Sequence, residues 1–268
     1  MPNRRPIFAK EYIGETVDFY IKCVSQSSAE HVPREITWAR DVLLSYFNSV
    51  DSEPLVNKAK KTFFSLEQKD NVALSVPYSR SEQTTLIPHK DLKLLVNKRK
   101  STRVFLNKTV PRDLVDKALN IAALAPTSCN RQPTHYRIYD EPELVKKMAH
   151  LPLGTLGFAD NIPMICALTG DLSAYSYERD RHSIYIDGSL SAMLFMLALE
   201  TVGLASCPLN WAEINELDRK FADTVGIPIH ERVIMFIAIG YPDPNGLVAF
   251  SEKKDLDLLR SYNKVAKR

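Results

Sequence analysis

In the first third of the chain apolar residues return at three- and four-residue intervals. Ile36, Ala39, Val42, Leu43, Tyr46, Phe47 and Val50 fall in this pattern, which lines one face of an α-helix. Lys58 to Gln68 continues in the same manner with mixed charge. The periodicity stops between Asp70 and His89, where Pro77, Pro88 and the polar run Ser79 to Thr85 predict a linker or surface loop. A boundary placed there leaves residues 1–90 as a helical N-terminal extension and 91–268 as the main domain.

Beyond the boundary the elements alternate. Pro111 opens a helix with the apolar face Leu114, Val115, Ala118, Leu119 and Ala122, and Pro126 marks its end. His135 to Tyr139 is a candidate strand. Ile162 to Thr169 and Val233 to Ile239 are short apolar runs closed by Gly170 and Gly240, as expected for strands buried on both faces. Between them a helix is predicted over Asp187 to Gly203, with more apolar surface than one core-facing stripe needs. Helices interspersed with two or three buried strands predict a three-layer α/β or α+β domain, with the strand order left open.

Composition narrows the function. The 268 residues are 45% hydrophobic and 25% charged, enough apolar material for a real core. With 35 Lys plus Arg against 32 Asp plus Glu, the net charge of +3 gives no global field for nucleic acid or membrane, so any bound anion needs a local cluster. The basic cluster lacks interleaved aromatic residues, so no nucleic-acid partner is expected. The longest apolar stretch, Leu190 to Ala205, is shorter than a membrane span and contains Glu200; it reads as a core helix, and no membrane partner is expected. Met1 to Ala9 is polar and basic and is followed by Lys10, Glu11 and Glu15, unlike a signal peptide. Cys23, Cys129, Cys166 and Cys207 show no zinc spacing and no C-x-x-C pair. Free thiols and a cytoplasmic location are the expectation. The six histidines are scattered without ligand spacing, so no metal site is predicted.

Four segments carry candidate chemistry. Arg99-Lys100-Ser101-Thr102-Arg103 places three cations and two hydroxyls in five residues, a set of charge-assisted donors suited to phosphate and equally the make-up of a solvated basic helix end. Ala125 to Pro133 (Ala-Pro-Thr-Ser-Cys-Asn-Arg-Gln-Pro) is a loop rich in amides and hydroxyls, able to meet a planar heterocycle or to cap its own turns. Ser206-Cys207-Pro208-Leu209-Asn210-Trp211 follows Gly203, and Ala249 to Lys254 follows the Gly240-Tyr241-Pro242 turn. Singly, a tryptophan such as Trp211 is ordinarily core, and Lys253-Lys254 ordinarily a solvated tail.

In this order the four segments resemble the nitroreductase family: an Arg-Arg-Ser-x-Arg type motif, a Pro-Ser-Ser-x-Asn-x-Gln-Pro type loop, a Gly-Leu and short strand after the central helix, and a Gly-Tyr-Pro turn before a basic tail. The likeness runs from about Leu92 to Tyr262. It implies an α+β, three-layer fold with a mixed central β-sheet flanked by helices, and a homodimer holding FMN between its subunits. The phosphate would be held by Arg99 and Ser101 with Lys100 beside them, and by Lys253 and Lys254 of the tail. The ring edge would meet Arg103, at N1 and the C2 carbonyl, and the loop residues Thr127, Ser128, Asn130 and Gln132. Backbone of Pro208, Leu209 and Asn210 would lie near N5, with Asn210 and Trp211 on the substrate face. Reduced flavin gathers negative charge near N1, so a fixed cation there eases hydride acceptance.

The chain departs from the family pattern at Thr134, where many relatives have Trp, and at Met193 and Leu194, where Gln-Asn is frequent. The resemblance implies an FMN-dependent oxidoreductase in which NADH or NADPH reduces the flavin and an electron-poor small-molecule acceptor then takes the electrons by a ping-pong mechanism. The alternatives are an FMN enzyme performing dehydrogenation or reductive substituent removal on a biosynthetic intermediate, and a non-turnover flavin-binding or partner-docking module. Asp171 to His182, with Tyr175, Tyr177, Glu178, Arg179 and Arg181, is either a substrate-covering segment or a charged surface helix.

Overall fold

The computed structural model describes residues 4–27, 32–66, 75–79 and 87–264. The chain divides into two compact units, Met1–Leu86 and Ile87–Arg268. In the first, helices α1 (Ile13–Gln26), α2 (Arg34–Ser49) and α3 (Pro54–Phe63) pack together. The apolar positions of α2 meet Val17, Tyr20, Val56 and Phe63 in one buried cluster, with Phe47 and Phe63 rings 5.4 Å apart. Helix α3 begins where Pro54 sets the first turn and the Glu53 carboxylate accepts from the Leu55 and Val56 amides at 2.8 and 3.0 Å, satisfying two of the amides a helix start leaves open. It ends at Phe63, short of the expected Gln68, which lies outside the described residues.

The second unit opens with α4 (His89–Lys98) and α5 (Arg112–Ala122), the latter preceded by Pro111. Strand β1 (Thr134–Tyr139), helix α6 (Pro142–Ala149), strand β2 (Met164–Asp171) and the long helix α7 (Ser183–Thr201) follow. Strand β3 (Ala205–Asn210), helix α8 (Asn215–Val225), strand β4 (Glu231–Gly240) and a short α9 (Leu256–Leu259) complete it. The fold is α+β, with four strands in the order β1-β2-β4-β3. Alternation sorts their side chains into two cores. Ile165, Ala167, Phe236 and Ala238 face α6 and α8, packing with Met148 and Phe221. Cys166, Leu168, Ile237 and Ile239 face α5 and α7, packing with Val115, Phe195 and Leu199. Helices thus cover both faces of the sheet, which is why β2 is buried from Met164 to Gly170 and reads as a continuous apolar run.

The sheet corrects one expectation. All three strand pairs are antiparallel rather than mixed. The parallel element is the isolated bridge Ser101↔Ser206, because the chain entering from α4 runs beside β3 for a single rung before Phe105 pairs antiparallel with Pro242. Helix α7 is long and apolar enough to cross a membrane by length and composition, yet Ile184, Ala192, Phe195 and Leu199 are buried in the domain and it carries the buried charges Asp187 and Glu200. Its outer face keeps Ile186, Leu190 and Met193 exposed.

Candidate active site

The Arg99–Arg103 segment is fixed by backbone pairing on two sides. Arg99 caps the C-terminus of α4, where a cation complements the helix dipole. The Thr102 amide donates to the Ser206 carbonyl at 3.1 Å, the Leu106 amide to the Tyr241 carbonyl at 2.9 Å, and the Asp243 amide to the Val104 carbonyl at 3.1 Å. Asn161 clamps Phe105 from the other side, accepting from its amide at 2.6 Å and donating to its carbonyl at 3.0 Å. The approach is close enough to need glycine at 240, since a Cβ there would lie 2.7 Å from both the Phe105 ring and Pro163. Thr102 points inward, while Arg103 is exposed and its guanidinium stands 5.9 Å from the Phe158 ring.

The cations converge on β3. Burial pushes the Cys207 thiol up, and the Arg103 charge, a hydrogen bond with Ser101 and the Arg99 charge act against that rise. Burial likewise raises the Glu200 carboxyl, opposed by Lys98 and Arg99. Arg99 and Lys100 form no side-chain hydrogen bond or ion pair among the described residues, and the buried Ser206 hydroxyl behind them has no partner. The half-buried Arg99 guanidinium and Lys100 ammonium, on a rigid rung beside the Ser101 hydroxyl, suit a phosphate ester. Further along β3, Pro208 is half-buried, Leu209 buried and Asn210 exposed.

Trp211 is not on an open face. It is 6% exposed, its indole N–H donates to Asp218 at 2.8 Å, and its ring packs on Phe236 and Phe221 at 5.2 and 6.1 Å. Strand alternation turns it into the core on the α8 side, so the substrate-face assignment is corrected to a core role for Trp211. Lys253 and Lys254 lie exposed on the tail, and no hydrogen bond or ion pair joins them to the Arg99–Arg103 segment among the described residues.

The Thr127–Gln132 loop sits elsewhere. Cys129, Asn130 and Gln132 have φ of 53°, 54° and 50°, a left-handed region that non-glycine residues enter at a cost of about 1 kcal/mol or more each. The Thr127 hydroxyl accepts from the Gln132 amide at 3.0 Å, and Ser128, Asn130 and Gln132 remain exposed. Asp187, not singled out for a role from sequence, holds the loop together with Tyr175, which the sequence offered only as part of a substrate-covering segment or surface helix. The buried Asp187 carboxylate of α7 accepts from the Ser128 amide, 3.2 Å from each oxygen, and also from the Tyr175 hydroxyl. The signal for Asp187 is a carboxylate at the start of a largely apolar helix that holds one other, Glu200. Asp171 to His182 forms two short 3-10 turns, Leu172–Ala174 and Glu178–Asp180, and Arg131 donates to the Ala174 carbonyl at 2.7 Å.

Within one chain the two segments are far apart. Ser101 borders β3 opposite Ile239, whereas the loop enters β1 at Thr134, which pairs with Gly170 opposite Arg232 on the far edge of the sheet. At ordinary strand rise and spacing this is about 23 Å along the strands and about 19 Å across them, roughly 30 Å overall.

Comparison with known proteins places this geometry. The model of the nitroreductase family matches residues 96–161 and 150–241. Human iodotyrosine deiodinase 1 is 22% identical over 225 residues, covering 71% of this chain and 75% of that protein. An FMN-dependent nitroreductase from Clostridium difficile R20291 superposes with a TM-score of 0.55 at 21% identity, over 64% of this chain and 98% of its own. A nitroreductase family protein from Streptococcus pneumoniae TIGR4 does so at 0.55 and 21%, over 64% and 99%. At these identities the solved structures speak for the fold, and the family model for the lineage.

Proposed function

From the premise that the chain belongs to the nitroreductase family, whose model spans more than half of it, and is by that membership a flavin oxidoreductase, we propose that it binds FMN and passes electrons from NADH or NADPH to an electron-poor small-molecule acceptor. The observation that carries the reading is the Arg99–Arg103 rung, pinned to β3 with Arg99 and Lys100 in no side-chain hydrogen bond or ion pair among the described residues. Arg99, Lys100 and Ser101 would hold the phosphate, and the set has the charge and directionality that a terminal phosphomonoester needs. The absence of a G-x-G-x-x-G fingerprint favours FMN over FAD. When bound, the flavin supplies two-electron chemistry between a nicotinamide and an acceptor.

The chain's own contribution is positioning and electrostatics. Arg103, next to the anion rung and free of any carboxylate partner among the described residues, is the fixed cation for the charge that develops on the ring edge. Exposed Asn210 borders the open side of β3. The rung borders one edge of the sheet and the Thr127–Gln132 loop enters the strand at the other edge, which supports a homodimer in which the loop of one subunit completes the flavin site of the other. The apolar outer face of α7, Ile186, Leu190 and Met193, is suited to that contact.

The likeness to iodotyrosine deiodinase 1 supports a second reading, reductive removal of a substituent from an aromatic acceptor by the same bound flavin. Purified protein is expected to be yellow, to release FMN on heat denaturation, and to bleach when NADPH or NADH is added without oxygen. Steady-state assays of the reduced protein with quinones, nitroaromatics and halophenols then separate the two readings. Protein that takes up no flavin from excess FMN overturns both.

A further inference from the structure

Helix α7 carries two buried polar groups one turn apart, Asp187 and Ser191, beneath the connection between α5 and β1. The Ser191 hydroxyl donates to the carbonyl of Ala122, the last residue of α5, at 3.1 Å and shares a 2.7 Å hydrogen bond with Tyr136 of β1. Both flanks of the connection are therefore tied to one side chain. One turn earlier, Asp187 accepts from the Ser128 amide in the middle of the connection, and the Tyr175 hydroxyl donates to the same carboxylate. Arg131 closes the circuit, donating to the Ala174 carbonyl at 2.7 Å with its guanidinium 5.6 Å from the Tyr175 ring centre. Burial, then the Asp187 carboxylate, pushes the Tyr175 phenol well above its ordinary range, so it stays a donor.

The helix that presents Asp187 is set at a fixed height above the sheet. A Cβ on Gly188 would come within 2.3 Å of Ile234 Cδ1, and one on Gly170 within 2.7 Å of Ile184 Cβ. This side chain therefore has little room to follow the loop; the loop follows it. What it restrains is a stretch with three non-glycine residues at positive φ, a conformation that persists only when its surroundings over-determine it. The same stretch exposes Ser128, Asn130 and Gln132.

We infer that Asp187, with Tyr175 hydrogen-bonded to it, is a positioning residue that holds the Thr127–Gln132 loop in the left-handed conformation that presents its amide and hydroxyl groups to the flavin. The inference rests on the flavin reading for its ligand, but its structural half is testable without any flavin. Full-length Asp187→Ala, Asp187→Asn, Tyr175→Phe and the Asp187→Ala/Tyr175→Phe double variant are to be compared by amide hydrogen exchange of residues 127–133 in the FMN-free protein, and by FMN titration through quenching of flavin fluorescence.

Asp187→Ala is expected to speed exchange across the loop and weaken FMN binding about tenfold or more, the effect of losing charge-assisted hydrogen bonds. Asp187→Asn, which keeps an oxygen for the Ser128 amide, is expected to recover most of both. Tyr175→Phe should change little once Asp187 is gone, because the phenol acts through the carboxylate. Wild-type loop exchange in a folded Asp187→Ala protein, or additive effects of the two single substitutions, overturns the inference. If Asp187→Ala does not fold, unchanged loop exchange in Tyr175→Phe overturns it instead. Wild-type protein that binds no FMN defeats the flavin reading alone, since the exchange experiment still decides whether Asp187 sets the loop.

Discussion

Dimerisation and flavin binding are expected to be lost together when Leu190 is changed to glutamate. Leu190 lies on the outer face of α7 and is 46% exposed within its own chain, so the substitution leaves both internal cores intact. The half-buried Leu194 and Leu197 are poorer choices, because they still pack within the domain. Burying a leucine fully contributes about 1.5–3 kcal/mol, so covering the exposed part of Leu190 contributes about 0.7–1.4 kcal/mol per chain and about twice that in a two-fold pair. Replacing that gain by two carboxylates in an apolar contact adds a desolvation cost of its own. The dimer is therefore expected to weaken by at least about ten- to a hundredfold. Sedimentation velocity at micromolar protein gives the dimer fraction, and fluorescence titration gives FMN affinity in the same samples. Both should fall, and excess FMN should drive reassociation by linkage. A monomeric Leu190→Glu protein with wild-type FMN affinity, or a wild-type monomer fully loaded with FMN, would refute the shared site.

Arg103→Ala should slow anaerobic flavin reduction in stopped flow by about 2–4 kcal/mol of barrier with a small change in FMN affinity, while Arg99→Ala should do the reverse, since one cation faces developing charge and the other a permanent one. Gly240→Ala should lower thermal stability by about 1–3 kcal/mol, because its Cβ meets the rigid Phe105 and Pro163 rings. Trp211→Phe should cost about 1 kcal/mol of stability in chemical denaturation, through the lost Asp218 bond, and leave turnover unchanged. For Glu231, burial raises the carboxyl but hydrogen bonds from Arg137 and Thr169 outweigh it and hold it below its ordinary value of 4.5. A depressed carboxyl stabilises above its unfolded-state value and loses that contribution as pH falls through its folded value. Denaturation midpoints should therefore decline below about pH 4.5, and decline less in Glu231→Gln.

Much of this protein was legible in the order of its residues, because secondary structure and burial leave a local imprint. The spacing from Ile36 to Val50 marked α2, the runs ending at Gly170 and Gly240 marked the two central strands, and Pro111 marked the start of α5. The Arg99–Arg103 cluster and the Thr127–Gln132 loop were visible as composition, and their order carried the family resemblance. What remained hidden depends on pairs of residues distant in the chain. Nothing in Ser101 announces that it lies beside Ser206, or that Phe105 is clamped by Asn161, because backbone pairing is indifferent to side-chain identity. Strand direction was hidden for the same reason, and the mixed sheet became an antiparallel one. Trp211 follows an exposed Asn210, and only the pleat of β3 and the presence of α8 decide that its ring faces Phe221 and Phe236. Asp187 reads in sequence as one of two carboxylates, with Glu200, in a largely apolar helix. Its partners, Ser128 at 59 positions away and Tyr175 at 12, are brought to it by the fold, which has to satisfy a buried carboxylate wherever it places one.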